Sequence, residues 1–152
     1  MKIQELNNVK DFEKVKDVFY RTFSSEPWFD DWSDKKQLNL YIHDLLDQNN
    51  SLSFGLFIEE NGNEILVGLA LGRVMHFYEG NQFRVDEFCV DVNYRNRGIG
   101  SLFMNLLTDK MKELNIAYIL LDTVKTFSAY KFYLKNGFEE LNDDVGLKKK
   151  VI

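Results

Sequence analysis

Val85–Ser101, VDEFCVDVNYRNRGIGS, is the stretch whose reading decides the fold. Val85 to Val92 sets three carboxylates among β-branched and aromatic residues, the composition of a largely buried strand that carries polar groups. The character changes at Arg95. Arg95-Asn96-Arg97-Gly98-Ile99-Gly100 places two glycines and two guanidinium groups directly before an amphipathic helix. Free backbone N–H groups, the positive end of a helix dipole and fixed positive charge then converge on one point, which suits an anion and a diphosphate above all. The same hexapeptide also fits a plain glycine turn with two solvated arginines.

Spacing separates the phosphate loops. A Walker A loop requires Gly-Lys-Ser/Thr, and Gly100 is followed by Ser101 and Leu102 with no lysine. A dinucleotide fingerprint requires a third glycine where Phe103 stands and a βαβ unit at the start of the chain, whereas this unit lies two-thirds of the way along. A kinase-like phosphotransferase lacks both the lysine and the metal-holding carboxylates.

Downstream of the loop, Leu102, Phe103, Leu106, Leu107, Met111 and Leu114 recur at helical spacing, and Asn115 suits a left-handed cap. Ile116–Leu121 then reads as a buried strand, parallel and adjacent to Val85–Val92 because a helix joins them. Ser128 stands as a capping residue for a last helix ending at Asn136-Gly137, and Phe138 opens a further strand. Upstream, Leu52–Glu60 and Glu64–Val74 form a hairpin about Asn61-Gly62, a type I′ signal, and Gly80-Asn81 marks a second turn. Ile3 and Leu6 suggest a short first strand. Phe12, Val15, Val18, Phe19 and Phe23 give one amphipathic helix, and Leu38, Ile42, Leu45 and Leu46 give another behind an Asp34/Gln37 capping box. The order β-α-α-β-β-β-α-β-α-β predicts an α/β fold: a mixed, mostly antiparallel sheet with one parallel pair and helices on both faces, in a single domain over 1–152.

Composition narrows the function classes. With 152 residues, 45% of them hydrophobic, the chain can bury a proper core. No apolar run approaches a membrane span and Met1–Glu5 lacks a signal-peptide core, so a cytoplasmic protein is expected. One cysteine and two scattered histidines leave no basis for a metal site. A formal charge of −5 argues against a general nucleic-acid surface and favours cationic partners.

A second motif lies in register with the first. Ala129-x-x-x-Tyr133-x-x-x-Gly137-Phe138 follows the strand after the glycine-loop helix. Together with Arg95-x-x-Gly98-x-Gly100 it resembles the signatures of the GNAT N-acetyltransferase superfamily. The resemblance covers Leu52 to Phe138, and the first fifty residues match in strand-helix-helix outline. It departs at Thr126, where the family often carries an asparagine that touches the coenzyme.

The resemblance implies acetyl transfer from acetyl-coenzyme A to a primary amine, on a GNAT-like acyl-CoA N-acyltransferase fold. The pyrophosphate would rest on the N–H groups of Arg97, Gly98, Ile99, Gly100 and Ser101, with Arg95 contributing charge. The pantetheine arm would run along Cys89, Val90 and Val92 as an added strand. The reaction consumes the free amine, so a base is required. Strict alternation puts Glu87 on one face with Val85 and Cys89, where it serves as base or as a carboxylate paired with Arg73 or Arg84. Asp86 is the competing base. Tyr133 would return a proton to the departing thiolate or serve as a core aromatic. Cys89 as a nucleophile has no neighbouring histidine in sequence. Trp28, Asp30, Asp31 and Trp32 offer an aromatic, acidic surface for a cationic substrate, a core cap, or the contact of a homodimer. A non-catalytic acyl-CoA-binding sensor would use the same fold and loop.

Overall fold

Asn61 and Gly62, both at positive φ, turn the chain sharply back, and the sheet grows from the hairpin they close. The computed structural model describes residues 1–152, which divide into two compact units, Met1–Asp122 and Thr123–Ile152. In the first unit β1 (Lys2–Glu5), β2 (Ser51–Glu60), β3 (Asn63–Phe77), β4 (Gly80–Val90) and β5 (Tyr118–Leu120) form one sheet in the order β1-β2-β3-β4-β5. The first three pairings are antiparallel and β4–β5 is parallel, which is the expected mixed sheet.

Helices α1 (Phe12–Phe23) and α2 (Lys35–Leu46) cover one face. The apolar stripes of both helices pack on Leu69, Leu71 and Cys89, and Asp34 caps α2 through the N–H groups of Lys36 and Gln37. Helix α3 (Ile99–Glu113) lies on the opposite face, where Phe103 stacks on Phe88 at 5.1 Å. Asn115 adopts the left-handed conformation that ends α3, as its residue type suggests.

Several boundaries differ from the sequence reading. The β3–β4 ladder continues to Phe77 and Gly80, so Tyr78-Glu79 makes the turn and Gly80 begins the strand. At its other end β4 stops at Val90. Asp91 caps a 3-10 turn, Val92–Tyr94, by accepting the Asn93 N–H at 3.0 Å, which takes Val92 out of the strand. The buried strand expected at Ile116–Leu121 shortens to Tyr118–Leu120 and is partly exposed.

The second unit holds α4 (Ser128–Lys135). Phe127, not Ser128, occupies its cap position, without a side-chain bond. Gly137 closes it at φ +86, and Phe138 N–H returns to the Tyr133 carbonyl at 3.1 Å. No strand follows Phe138: adjacent like charges and an Asn-Asp-Asp run are poor strand formers.

Candidate active site

The register of β4 against β3 shifts once. Leu71 pairs with Glu87 and Gly72 with Val85, leaving Asp86 without a partner. A bulge of this kind re-aims the side chains around it. Cross-strand partners share a face, so Glu87 lies with Leu71 and Cys89 on the α1/α2 side while Val85 turns to the α3 side. Strict alternation, which grouped Glu87 with Val85, therefore fails at this strand. Gly72 permits the geometry, because a Cβ there would lie 2.3 Å from the Arg84 carbonyl oxygen.

The bulge gives two consecutive carboxylates separate partners. Asp86 takes Arg73 at 3.3 Å. Glu87 pairs with neither Arg73 nor Arg84; its Oε1 accepts the Tyr41 hydroxyl at 2.6 Å. Burial lifts the Glu87 carboxyl to about 7, with the nearby charges of Asp30 and Asp86 adding to the rise and the Tyr41 hydrogen bond opposing it. Burial also raises Asp86, against the pull of Arg73. The Cys89 thiol is pushed up to about 12 by complete burial, which keeps it protonated and removes the nucleophile reading.

An aromatic chain supports this corner. Tyr41 stacks on Trp32 at 5.0 Å and 15°, and both meet Phe19 edge-on. Phe19 contacts Phe23, which contacts Trp28. Trp28 and Trp32 are partly buried against the core, so each presents much of its ring to protein. Asp30 is exposed, whereas Asp31 accepts the Ser33 N–H at 3.1 Å, and the Ser33 hydroxyl together with that N–H holds its carboxyl below the usual range.

Past Asp91 the chain enters the glycine loop, and two arginines secure the approach. Arg21 of α1 forms a two-nitrogen contact with the buried Asp91 carboxylate. Arg95 lies over the Trp28 ring at 5.0 Å and donates to the carbonyls of Val90, Thr22 and Glu26, at 3.4, 3.3 and 2.5 Å. It ties α1 and the Trp28 loop to the end of β4. Arg97 and Gly98 are exposed. Gly98 stands at the cap of α3 with φ +72, and no atom lies within 4 Å of where a Cβ would be. The first N–H groups of α3, from Ile99, Gly100 and Ser101, face the unpaired start of the helix. Along β4 the pairing with β5 ends at Arg84, so from Val85 to Val90 no strand joins its second edge. A helix start with orphan donors, an open glycine and an unpaired strand edge fit a pyrophosphate followed by an extended arm. Tyr133 of the second unit is buried and meets the Phe138 ring at 5.4 Å.

Three supporting residues escape sequence reasoning. Tyr41 sits three positions after Leu38 and four before Leu45, so the helical stripe that exposed those leucines also points to it. Arg21 and Asp91 are 70 residues apart, and local spacing carries no signal of their contact.

The chain belongs to the acetyltransferase (GNAT) family, whose model matches residues 13–138. Solved structures of similar fold include a possible acetyltransferase from Clostridium difficile 630, at 19% identity and TM-score 0.79, covering 99% of this chain and 97% of that one. An aminoglycoside acetyltransferase from an uncultured soil metagenomic sample, in complex with sisomicin, superposes at 19% identity and TM-score 0.71, covering 99% and 96%. AAC(6')-Iy in complex with the bisubstrate analogue CoA-S-monomethyl-acetylneamine does so at 17% identity and TM-score 0.68, covering 99% and 98%. No curated protein sequence matches the chain significantly. No helix is long and apolar enough to cross a membrane.

Proposed function

We propose that the protein transfers an acetyl group from acetyl-coenzyme A to a primary amine of a small cationic molecule or peptide, and that residues 1–152 act as one catalytic domain. The observation that carries this reading is Glu87: a half-buried carboxylate, lifted to about 7, on the strand segment whose second edge is unpaired. A base with that value is about half ionised at neutral pH and a better proton acceptor than an ordinary carboxylate. A sensor has no use for it, since burying an ionisable carboxyl only weakens the fold above its titration point.

Backbone N–H groups of Gly98 to Ser101 would hold the pyrophosphate of the coenzyme, aided by the exposed Arg97, and Cys89 and Val90 would offer the β4 edge to its arm. Bound acetyl-coenzyme A supplies an activated acetyl thioester. Glu87 removes the proton from the ammonium form of the acceptor, directly or through water, and so releases the nitrogen lone pair. Tyr133 delivers the phenol proton to the leaving sulfur. Three carboxylates, Asp30, Asp86 and Glu87, interact electrostatically around one point, and only Asp86 has a cationic partner. That field favours an acceptor carrying more than one positive charge. The complex of a structural neighbour with sisomicin supports the same substrate class.

The test is a panel of polyamines, aminoglycosides and lysine- or N-terminal peptides, scored by free thiol released from acetyl-coenzyme A. Turnover with a polycationic amine is expected. Tight coenzyme binding with no amine-dependent thiol release across the panel would favour the sensor.

A further inference from the structure

We infer that Tyr41 is the positioning residue for Glu87: its hydroxyl holds one carboxylate oxygen, leaving the other for the amine, and Trp32 fixes the phenol in place. The inference deepens the function proposed above and rests on it for the catalytic role of Glu87.

The geometry has two parts. The Tyr41 Oη to Glu87 Oε1 distance of 2.6 Å is that of a charge-assisted bond. A glutamate side chain has three rotatable bonds, and a half-buried one held at a single oxygen has a fixed direction for the second. The phenol itself cannot swing, because Trp32 lies flat against it at 5.0 Å and Phe19 meets it edge-on at 5.6 Å. Trp32 on this account serves the site from behind Tyr41 instead of touching substrate.

The groups facing Glu87 set the direction of its titration. Asp30 from the loop before α2 and Asp86 from the same strand raise it; Tyr41 from α2 lowers it. From β3, Leu71 is apolar and Arg73 is engaged by Asp86. Cys89, two residues along, stays a neutral thiol. Tyr41 is thus the one neighbour that favours the ionised base. Burial and the Glu87 charge push the phenol well above its ordinary value, so it remains a donor over the working range.

Tyr41→Phe removes the hydroxyl and keeps the ring on Trp32. The midpoint of the kcat/KM–pH profile should move up by about one unit, and kcat/KM at neutral pH should fall about fivefold. The acetyl-coenzyme A dissociation constant should stay unchanged. A second arm needs no turnover: denaturant stability of the ligand-free protein from pH 4 to 9. Glu87 releases its proton later in the folded than in the unfolded chain, so stability falls as pH rises through this window. In Tyr41→Phe the fall should extend to higher pH, and in Glu87→Gln its upper part, near pH 7, should vanish while the contribution of Asp86 remains. Trp32→Leu, which loosens the phenol without deleting it, should shift both profiles the same way by less, and it substitutes if Tyr41→Phe does not fold. A folded Tyr41→Phe protein with both profiles in place would overturn the inference. A shifted stability window beside an unshifted kinetic profile would overturn Glu87 as the base while leaving the hydrogen bond standing.

Discussion

The two halves of β4 differ in what surrounds them. Around Gln82–Arg84 the strand is paired on both sides, by β3 and β5, and Gln82 and Phe83 are buried. After the bulge at Asp86 only β3 remains, and this half carries Glu87, Cys89 and the chain leading into the glycine loop. In the first half the backbone donors and acceptors are used up within the sheet. In the second, one edge keeps them available for an extended ligand. The bulge marks the change and turns Glu87 to the face where Tyr41 waits. One strand is thus paired on both edges over half its length and open along one edge over the other.

The deepest cut into the second half is Glu87→Gln, which keeps shape and removes basicity. Turnover is expected to fall by about 10³-fold with coenzyme affinity nearly constant, measured by steady-state thiol release beside calorimetric titration. Tyr133→Phe, in the separate α4 unit, should lower turnover on the order of 10²-fold with the coenzyme dissociation constant unchanged, the signature of a lost proton donor. A folded Tyr133→Phe protein with full turnover would remove the acid assignment.

The hinge between the halves is tested at Gly72. Alanine there would press its Cβ toward the Arg84 carbonyl oxygen, 2.3 Å away, so Gly72→Ala should cost about 2 kcal/mol in urea unfolding. It should also lower turnover by displacing the bulge that aims Glu87. Gly98→Val meets no atom, but it imposes a β-branched side chain at φ +72 and fills the space a phosphate would use. Acetyl-coenzyme A affinity should drop at least about tenfold in a protein that still folds. Unchanged affinity would remove the loop from the site.

The frame around β4 was legible from sequence, whereas its two-sided half was not: Gln82–Arg84 lie beyond the turn expected at Gly80-Asn81 and before the strand expected from Val85. Asn61-Gly62, Asn115 and Asn136-Gly137 announced turns and helix ends through backbone preference alone, and the stripes of α1 and α2 announced their buried faces. The one-sided half was legible in residue type and misread in direction. Glu87, Gly98 and the loop stood out as chemistry, yet the face of Val85 followed from an alternation that the bulge breaks. A bulge set by contact between Gly72 and the Arg84 carbonyl leaves no periodic trace. Arg95 presents the same lesson: its charge suggested an anion, while its place beside Val90, Thr22, Glu26 and the Trp28 ring depends on a loop nearly seventy residues earlier.

The central claim is that Glu87 is the base, poised by burial on the one-sided half of β4. The most direct measurement is kcat/KM against pH for the wild-type protein and Glu87→Gln with the same amine. The wild type should rise with pH through a midpoint near 7, as the carboxyl loses its proton, and the variant should lack that rise. A variant that keeps the wild-type midpoint would contradict the account and move the base to another group.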